Sequence, residues 1–234
     1  MFICAAHKQL APQLNEFNRL YAFPTVPDLD GQHKIILDSG AFGLSKSGRK
    51  MDAQYLNDLA LHYQKYGQQK NVFCIAPDVF KNSHQSIRQY KDFTQRYPNI
   101  KVVPVLQFQT KNIDLFNAKK QIDEYSRLSN SGMICVSNNK FNPVKQFDEL
   151  QYIVKKIRHK FKHVWIHVLG AGYSHNNVKD WLKTGVDSID SISYYTDAQA
   201  KLQWLRDSYQ THPSPLEFKQ LALHNAEVAN EILY

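Results

Sequence analysis

The sequence predicts an α/β protein of a single domain, residues 1–234, folded as a (β/α)8 barrel of the TIM type with C-terminal helices. Short apolar runs alternate with amphipathic stretches at about 30 residues per unit, a pattern typical of right-handed βαβ units. The runs are apolar along most of their length, as expected for strands buried on both faces of a parallel sheet. Polar residues follow nearly every run, and in a barrel these strand ends meet at one mouth.

Seven of the eight expected strands can be assigned from the sequence. They are the runs 2–6, 34–40, 72–78, 102–107, 133–138, 164–170 and 188–193. The eighth strand has no obvious run and is expected to be short or irregular. An open doubly wound sheet accommodates the same strands, but there only the strand ends near the switch point would meet. The recurrence of polar strand ends therefore favours the barrel.

Helices are predicted between the runs. Residues 52–66 place Leu56, Leu59 and Tyr63 at helical spacing, and Asp52 precedes them as an N-cap. Similar amphipathic patterns occupy 82–96, 112–129, 143–160, 175–183 and, as a C-terminal tail, 215–234.

Composition indicates a globular protein without a membrane segment. Apolar residues make up 43% of the chain, and no run approaches the roughly 18 apolar residues of a membrane span. The first residues do not resemble a signal peptide, so a soluble cytoplasmic protein is expected. Cys4, Cys74 and Cys135 lie far apart in apolar runs, which favours buried reduced thiols. Because no C-x-x-C spacing exists, neither a metal nor a cofactor is expected.

The charge balance favours a polyanionic partner. The formal net charge is +8, which suits nucleic acid, although a soluble surface that is merely basic remains the alternative. Lys46, Arg49 and Lys50 follow a strand end on the expected mouth side, and we predict that they contact phosphates. A second basic stretch, 155–163, ends a helix, where its charges are solvated or complement the helix dipole.

The residues at the strand ends predict a functional site. Carboxylates in one cleft can divide into a nucleophile and an acid/base, a carboxamide can read a planar ligand, and a glycine turn admits a ligand close to the backbone. Each residue alone is commonly a cap or loop residue, but together they predict a site formed by Asp38, Asp78, Gln107, Ser137, Asn138, the turn 170–172 and Asp190.

Two aspartates in the stretch GVDSIDS, residues 185–191, have different expected positions. Asp187 and Asp190 are three residues apart, so a regular strand sends their side chains to opposite faces. We expect Asp190 in the mouth and Asp187 at the turn that follows Gly185.

Five segments resemble motifs of the tRNA-guanine transglycosylases, in the same order along the chain. LDSGAFG (37–43) is similar to their DSGGFQ motif, and GVDSIDS is similar to their G-(I/V)-D-x-F-D-C segment. APD (76–78), VVPVLQ (102–107) and LALHN (221–225) resemble three further segments. The resemblance implies a (β/α)8 barrel that exchanges guanine in a polynucleotide for a 7-deazaguanine.

The resemblance also implies roles for individual residues. The family's nucleophile falls on Asp190 and its general acid/base on Asp38. The base-reading residues fall on Asp78 and Gln107, and the ring-stacking aromatic falls on Phe42. Five further strand-end residues are expected to bind the substrate: Ser39, Ser137, Asn138, Gly170 and Ala171. The segment 134–139 stands where the family has a glycine-rich base-binding turn, and it does not match that turn.

Three departures from the tRNA enzymes bear on the substrate. The chain lacks their C-x-C-x-x-C…H zinc site, has SISYYTD (191–197) in place of the P-T-R after the nucleophile, and is shorter. A compact zinc-free chain resembles the phage-type DNA guanine transglycosylases. We therefore expect insertion of a base such as 7-cyano-7-deazaguanine into DNA, in the host cytoplasm if the protein is phage-encoded. A base in a duplex would have to be flipped out first.

Three alternatives remain open at this point. The substrate could be tRNA, the protein could be a non-catalytic nucleic-acid-binding subunit, or the barrel could act on an unrelated small molecule. The presence of both Asp38 and Asp190 argues against a non-catalytic subunit. The sequence leaves the incoming base, the target sequence and the oligomeric state open.

Overall fold

The computed structural model of the protein describes residues 1–6, 10–108, 115–128, 131–138, 146–171, 178–205, 209–211 and 218–233. Within these ranges, nine parallel strands form one sheet that curves into a nearly closed barrel. This architecture confirms the predicted fold class of a TIM-type α/β barrel.

The strands of the barrel are short. They are β1 Phe2–Ala5, β2 Arg19–Ala22, β3 Ile35–Asp38, β4 Val72–Ile75, β5 Val102–Val103, β6 Val105–Leu106, β7 Met133–Ser137, β8 Trp165–Leu169 and β9 Ser188–Ser191. Their order in the sheet is β5-β4-β3-β2-β1-β9-β8-β7-β6. Only Pro104, which has no amide hydrogen, separates β5 from β6. The two edges of the sheet are therefore two halves of one predicted run, and this continuity brings the barrel to near closure.

The strand that the sequence left unassigned is β2, which pairs with β1 and β3. Its first residue, Arg19, is fully buried and donates hydrogen bonds to Asn15 Oδ1 at 2.7 Å and to the Asp30 carbonyl at 2.6 Å. Because one of the four residues of β2 is an arginine, the sequence of this strand does not show the apolar run by which the other strands were recognised. In its described residues, 10–18, the link from β1 to β2 contains a 3₁₀ turn, Ala11–Leu14, in place of a full helix.

Helices surround the barrel. They are α1 Ala41–Lys46, α2 Ala53–Tyr66, α3 Ser83–Arg96, α4 Leu115–Leu128, α5 Gln146–Lys160, α6 Val178–Thr184, α7 Ser193–Gln199 and α8 Phe218–Leu233. The predicted helices are confirmed over their described residues, and their parts at 112–114, 129, 143–145, 175–177, 215–217 and 234 lie outside the described ranges. The Asp52 carboxylate caps α2 by accepting a bond of 2.8 Å from the Tyr55 amide. The short helices α1 and α7 were not predicted. Across the described ranges, no helix is long and apolar enough to cross a bilayer.

Two apolar layers hold the fold together. Alternate residues of the strands fill the barrel interior, namely Ile3, Leu20, Ile36, Ile75, Val103, Val105, Met133 and Cys135. The larger layer lies between the sheet and the helices. All three cysteines are buried and none forms a disulfide, which confirms the prediction of buried thiols.

The C-terminal helix is tied to a small hairpin by the His-Asn pair of the LALHN segment. The hairpin joins β10 Leu202–Trp204 to β11 Tyr209–Thr211. The buried Asn225 side chain accepts from the Trp204 amide at 2.7 Å, and His224 Nε2 lies 2.9 Å from the Trp204 carbonyl. This segment therefore stabilises the packing of α8 on β10.

Candidate active site

The mouth of the barrel is polar because the inward-facing positions change chemistry where the strands end. Side chains alternate with a period of two, so the residue two positions after an interior apolar residue points inward as well. Asp38 follows Ile36 in this phase, Gln107 follows Val105 and Ser137 follows Cys135. Apolar interior layers thus give way to carboxylate, amide and hydroxyl groups at the carboxyl ends of the strands.

A tight turn fixes Asp38. Its Oδ2 accepts a hydrogen bond of 3.1 Å from the Gly40 amide, and the Tyr55 hydroxyl donates to the Ser39 carbonyl at 2.8 Å. Gly40 has a φ of +78°, and a Cβ there would lie 2.6 Å from the Tyr55 hydroxyl and 2.9 Å from the Phe23 carbonyl. Only glycine fits this position, so the DSG sequence is the one that places Asp38 in the mouth.

Burial in the mouth, together with the nearby Asp78 and Asp190 carboxylates, raises the pKa of Asp38 to about 7, against the opposing backbone hydrogen bonds from Gly40 and Ser39. Burial disfavours the charged form, and a neighbouring carboxylate does the same. A carboxyl group with this pKa is present in both protonation states near neutral pH. It can therefore give up a proton and take it back, as a general acid/base must.

We expect Asp38→Asn to stabilise the fold at high pH. Well below the unfolded pKa of 3.8 both folded and unfolded Asp38 are protonated, and as the pH rises from there towards 7 mainly the unfolded chain ionises, so wild-type stability falls. The cost is on the order of 2 kcal/mol, or roughly 5 °C in melting temperature, since the side chain keeps some contact with solvent. Thermal melts at pH 8 and pH 4 should show the gain at the higher pH only. An equal gain at both values would contradict the raised pKa.

Asp78 and Gln107 form one buried network with Ser39. The Ser39 hydroxyl donates to Asp78 Oδ1 at 2.9 Å, and the Gln107 side-chain amide donates to Asp78 Oδ2. Burial raises the pKa of Asp78 to about 6, while these two hydrogen bonds oppose the shift. A carboxylate has about four lone-pair directions; these two donors and the Asp78 backbone amide use three, so Asp78 can still accept a bond from a ligand.

Sequence reasoning missed the residue that holds Gln107. The side chain of the fully buried Gln121 in α4 accepts a hydrogen bond of 2.9 Å from the Gln107 backbone amide and donates one of 2.9 Å to the Gln107 backbone carbonyl. The Gln107 side-chain oxygen also accepts from the Lys81 amide at 3.1 Å. A glutamine inside an amphipathic helix carries no sequence signal for this contact, because its partner lies on another element.

Asp190 is anchored through one oxygen. Its Oδ1 lies 2.9 Å from the Gly170 amide, which donates to it, and 3.0 Å from His167 Nε2. Among the described residues none donates to Oδ2. The carboxylate is buried, with only 6% of the residue exposed. One oxygen is therefore fixed by the protein, while the other is left for a ligand in the mouth.

A chain of hydrogen bonds runs down from Asp190 inside the barrel. His167 Nδ1 lies 2.8 Å from the Ser188 hydroxyl, which accepts a bond of 2.7 Å from the Trp165 indole. His167 is fully buried. In the tautomer that carries its proton on Nε2, His167 donates to Asp190 Oδ1 and the Ser188 hydroxyl donates to Nδ1. This chain of hydrogen bonds favours the His167 tautomer that presents an N–H to Asp190.

The sequence did contain a signal for His167. The run VWIHVLG was assigned as an apolar strand, yet its histidine stands in the same phase as Trp165 and Leu169 and therefore faces the interior. A buried polar side chain needs a partner, and the next strand supplies Ser188 and Asp190 in that phase.

The structure brings the remaining strand-end residues to the same side of the mouth. Ser137 is buried at the end of β7. Asn138 donates its backbone amide to the Leu169 carbonyl at 3.0 Å and its side chain to the Gly170 carbonyl at 3.1 Å. Gly170 thereby joins Asn138 to Asp190, and Ala171 is buried beside it. These four residues support the Asp190 side of the site.

Phe42 lies on the rim. It is 60% exposed and its ring meets Phe80 edge to face, with centroids 5.2 Å apart. Lys46, Arg49 and Lys50 are exposed at the end of α1 and in the loop before α2. The predicted phosphate contacts therefore lie on the surface next to the mouth, and stacking of Phe42 on a base remains a prediction.

Asp187 lies outside the site, but its partner was not predicted. Its carboxylate forms an ion pair with Arg158 and accepts a bond of 2.6 Å from the Ile166 amide. This contact lies before β9, at the opposite end of the strand from the mouth. The expected turn cap is thus replaced by an ion pair with α5, which also uses one cation of the basic stretch 155–163.

Comparison with known proteins identifies no relative, so the chemistry of the site is inferred from the residues that line the mouth. The sequence matches no protein-family model, and no curated protein is significantly similar to it. In the ranges that the structure describes, no three histidine, cysteine or acidic side chains are grouped so that they could hold a metal ion. The described mouth instead offers three carboxylates, a carboxamide and backbone amides.

Proposed function

We propose that the protein exchanges guanine in DNA for a 7-deazaguanine, through a covalent bond between Asp190 and the sugar. The observation that carries the proposal is the pairing of two unlike carboxylates in one mouth. Asp190 is anchored at one oxygen, and Asp38 has a pKa of about 7. Two carboxylates in different environments divide naturally into a nucleophile and an acid/base. The five ordered sequence motifs support the same chemistry.

In the first half of the reaction, the unanchored oxygen of Asp190 attacks C1′ of the target nucleotide. The glycosidic bond breaks as the new C1′–O bond forms, through a transition state with oxocarbenium character. Asp38 gives its proton to the departing guanine, which leaves neutral. The products are a glycosyl-enzyme ester and an ionised Asp38.

The second half of the reaction reverses these steps with a different base. Ionised Asp38 takes the proton from the ring nitrogen of the incoming 7-deazaguanine, and that nitrogen attacks C1′. The C1′–O bond breaks and the electron pair returns to Asp190. Two displacements at one carbon retain its configuration, and both carboxyl groups end in their starting states.

The Asp78–Gln107 network suits recognition of the base. A carboxylate pairs with the amino and ring N–H groups of a guanine edge, while an amide can pair with a carbonyl. A buried polar site of this kind rejects a base that leaves its groups unpaired. Since guanine and its 7-deaza analogues share that edge, the same residues can hold both the leaving base and the incoming base.

A base-exchange assay tests the proposal. Purified protein is incubated with radiolabelled 7-cyano-7-deazaguanine in three separate reactions, which contain single-stranded DNA, duplex DNA or tRNA. The polymer from each reaction is then digested to nucleosides. We expect label in a new deoxynucleoside from DNA. Label in tRNA alone would replace DNA by tRNA as the substrate. Label in no polymer, even with the aminomethyl analogue or guanine as the incoming base, would reject the exchange reaction.

We expect His167 to position Asp190 during this reaction. His167→Leu removes the N–H that fixes Oδ1 and should lower kcat by about 10²-fold, since a misplaced nucleophile costs that much, with little change in KM for the base. His167→Gln carries an amide where Nε2 stood and should restore part of the rate. The rates are measured in quenched single-turnover assays, on variants whose melting temperatures match. If both variants are equally slow, or KM alone rises, His167 has only a structural role.

A further inference from the structure

An open groove of about 720 Å³ leads away from the mouth. One side is formed by α1, the following loop and the start of α2, and the other side by α3. Its inner end contains Asp78 and Ala41, the residue after Gly40, so the groove and the mouth share Asp78. Helix α3 begins at the mouth and runs back along the barrel, which carries the groove outward to Arg96.

Cationic side chains lie on both sides of the groove. Arg49 and Lys50 line the first side, and Arg88 and Arg96 line the second. Arg88 lies 3.8 Å from Asp92, in a pair whose members are both well exposed. Within the described ranges no carboxylate forms an ion pair with Arg49, Lys50 or Arg96. The lining of the groove thus carries four cationic side chains against two acidic ones, Asp78 and Asp92.

The spacing of these charges suits a chain of anions better than a single anion. Arg88 and Arg96 are eight residues apart on one helix, which separates their backbones by about 12 Å. Successive phosphates of one strand in a B-form duplex follow each other by about 3.4 Å along the axis. The two arginines can therefore contact different phosphates of one strand, whereas one small anion could reach only one of them.

The floor of the groove is apolar. Leu44, Leu56 and Phe93 line it, together with Met51, whose sulfur lies 3.5 Å from the Gln89 amide on the opposite side. A cationic rim over an apolar floor matches an unpaired strand, whose phosphates face the charges while its sugars and bases cover apolar surface. Phe80 lines the same groove and stands beside Phe42 at the rim, where a neighbouring base can stack.

We infer that this groove binds the phosphodiester backbone of the DNA strand next to the target nucleotide. The inference rests on the proposed function, because it takes the nucleotide at Asp78 as the one undergoing exchange. The strand enters the mouth past Phe42 and Phe80 and continues along α3, with Arg88 and Arg96 on one side and Arg49 and Lys50 on the other.

Salt-dependent binding of a fluorescein-labelled single-stranded oligonucleotide tests the groove. The variants are Arg88→Gln/Arg96→Gln and Arg49→Gln/Lys50→Gln. The matched control is Lys155→Gln/Lys156→Gln, which removes two exposed cations from α5 outside the groove. Each groove variant should bind on the order of tenfold more weakly at 50 mM salt. Its slope of log K against log salt should fall by about 1.4, at about 0.7 for each lost contact. The control should keep the wild-type slope.

Two results would overturn the inference: wild-type slopes in both groove variants, or an equal loss in the control. The base-exchange assay separates this failure from failure of the proposed function. A protein that binds the strand through the groove but exchanges no base rejects the reaction and keeps the groove as a strand-binding site. A protein that exchanges base while its groove variants bind and react like wild type keeps the reaction and rejects the groove.

Discussion

Asp190→Asn should abolish both base exchange and the covalent adduct with nucleic acid, lowering the exchange rate by about 10⁴-fold or more. Asparagine keeps the shape of the side chain and can still accept bonds from Gly170 and His167, so the fold and the mouth should persist. It lacks the charged oxygen that would attack C1′. Denaturing gels of single-turnover reactions, quenched before the second base is added, report the adduct directly.

Asp187→Asn is the matched control for that experiment. The same substitution three residues earlier weakens the ion pair with Arg158 but leaves the mouth intact. We expect the melting temperature to fall by a few degrees and the rate per folded molecule to stay near wild type. An adduct that survives in Asp190→Asn, or an equal loss of activity in the two variants, would show that Asp190 is not the nucleophile.

Asp38→Asn should lower the rate of both half-reactions by about 10² to 10⁴-fold, the range that a positioned general acid/base contributes. In the wild-type protein, the rates of the two half-reactions should depend on pH through the ionisation of Asp38. Because burial raises the pKa of Asp38 to about 7, adduct formation, which needs the protonated acid, should decline above pH 7. Discharge of the adduct to the incoming base needs the ionised form and should decline below that pH.

Measuring the two half-reactions separately between pH 5.5 and 9 tests this assignment. The two limbs should lie on opposite sides of one pKa and vanish together in Asp38→Asn, leaving a slow and flatter profile. If both limbs persist in the variant, another group titrates. In that case Asp78, whose pKa is raised to about 6, is the next carboxyl group to replace.

Period-two alternation is what made part of the site predictable from the sequence. Asp38, Gln107 and Asp190 stand at strand ends in phase with interior positions, so their convergence needed only the barrel topology. His167 has the same phase but stands within a run that was assigned as apolar, and β2 was hidden by Arg19. In both cases a buried polar side chain is satisfied by partners on other segments, which local pattern does not encode.

Long-range pairing explains the other differences. The ion pair between Asp187 and Arg158 and the bonds between Gln121 and Gln107 join residues on separate elements. The groove is also invisible in sequence, since its two sides come from α1–α2 and α3, and only folding places Arg49 opposite Arg88. The basic stretch 46–50 was recognised because its three charges lie within five residues, whereas the arginines of α3 are spread along a helix.

The position of Asp190 in the sheet links the candidate site to the order of folding. Strand β9 pairs with β8 on one side and with β1 on the other, where Asp190 stands opposite Ile3. That pairing joins distant parts of the chain and is the kind of contact that forms late, because a large loop must close first. Until it forms, β1 and β9 are exposed edges of the sheet. We therefore expect the mouth to reach its final shape only after β1, near the start of the chain, has paired with β9.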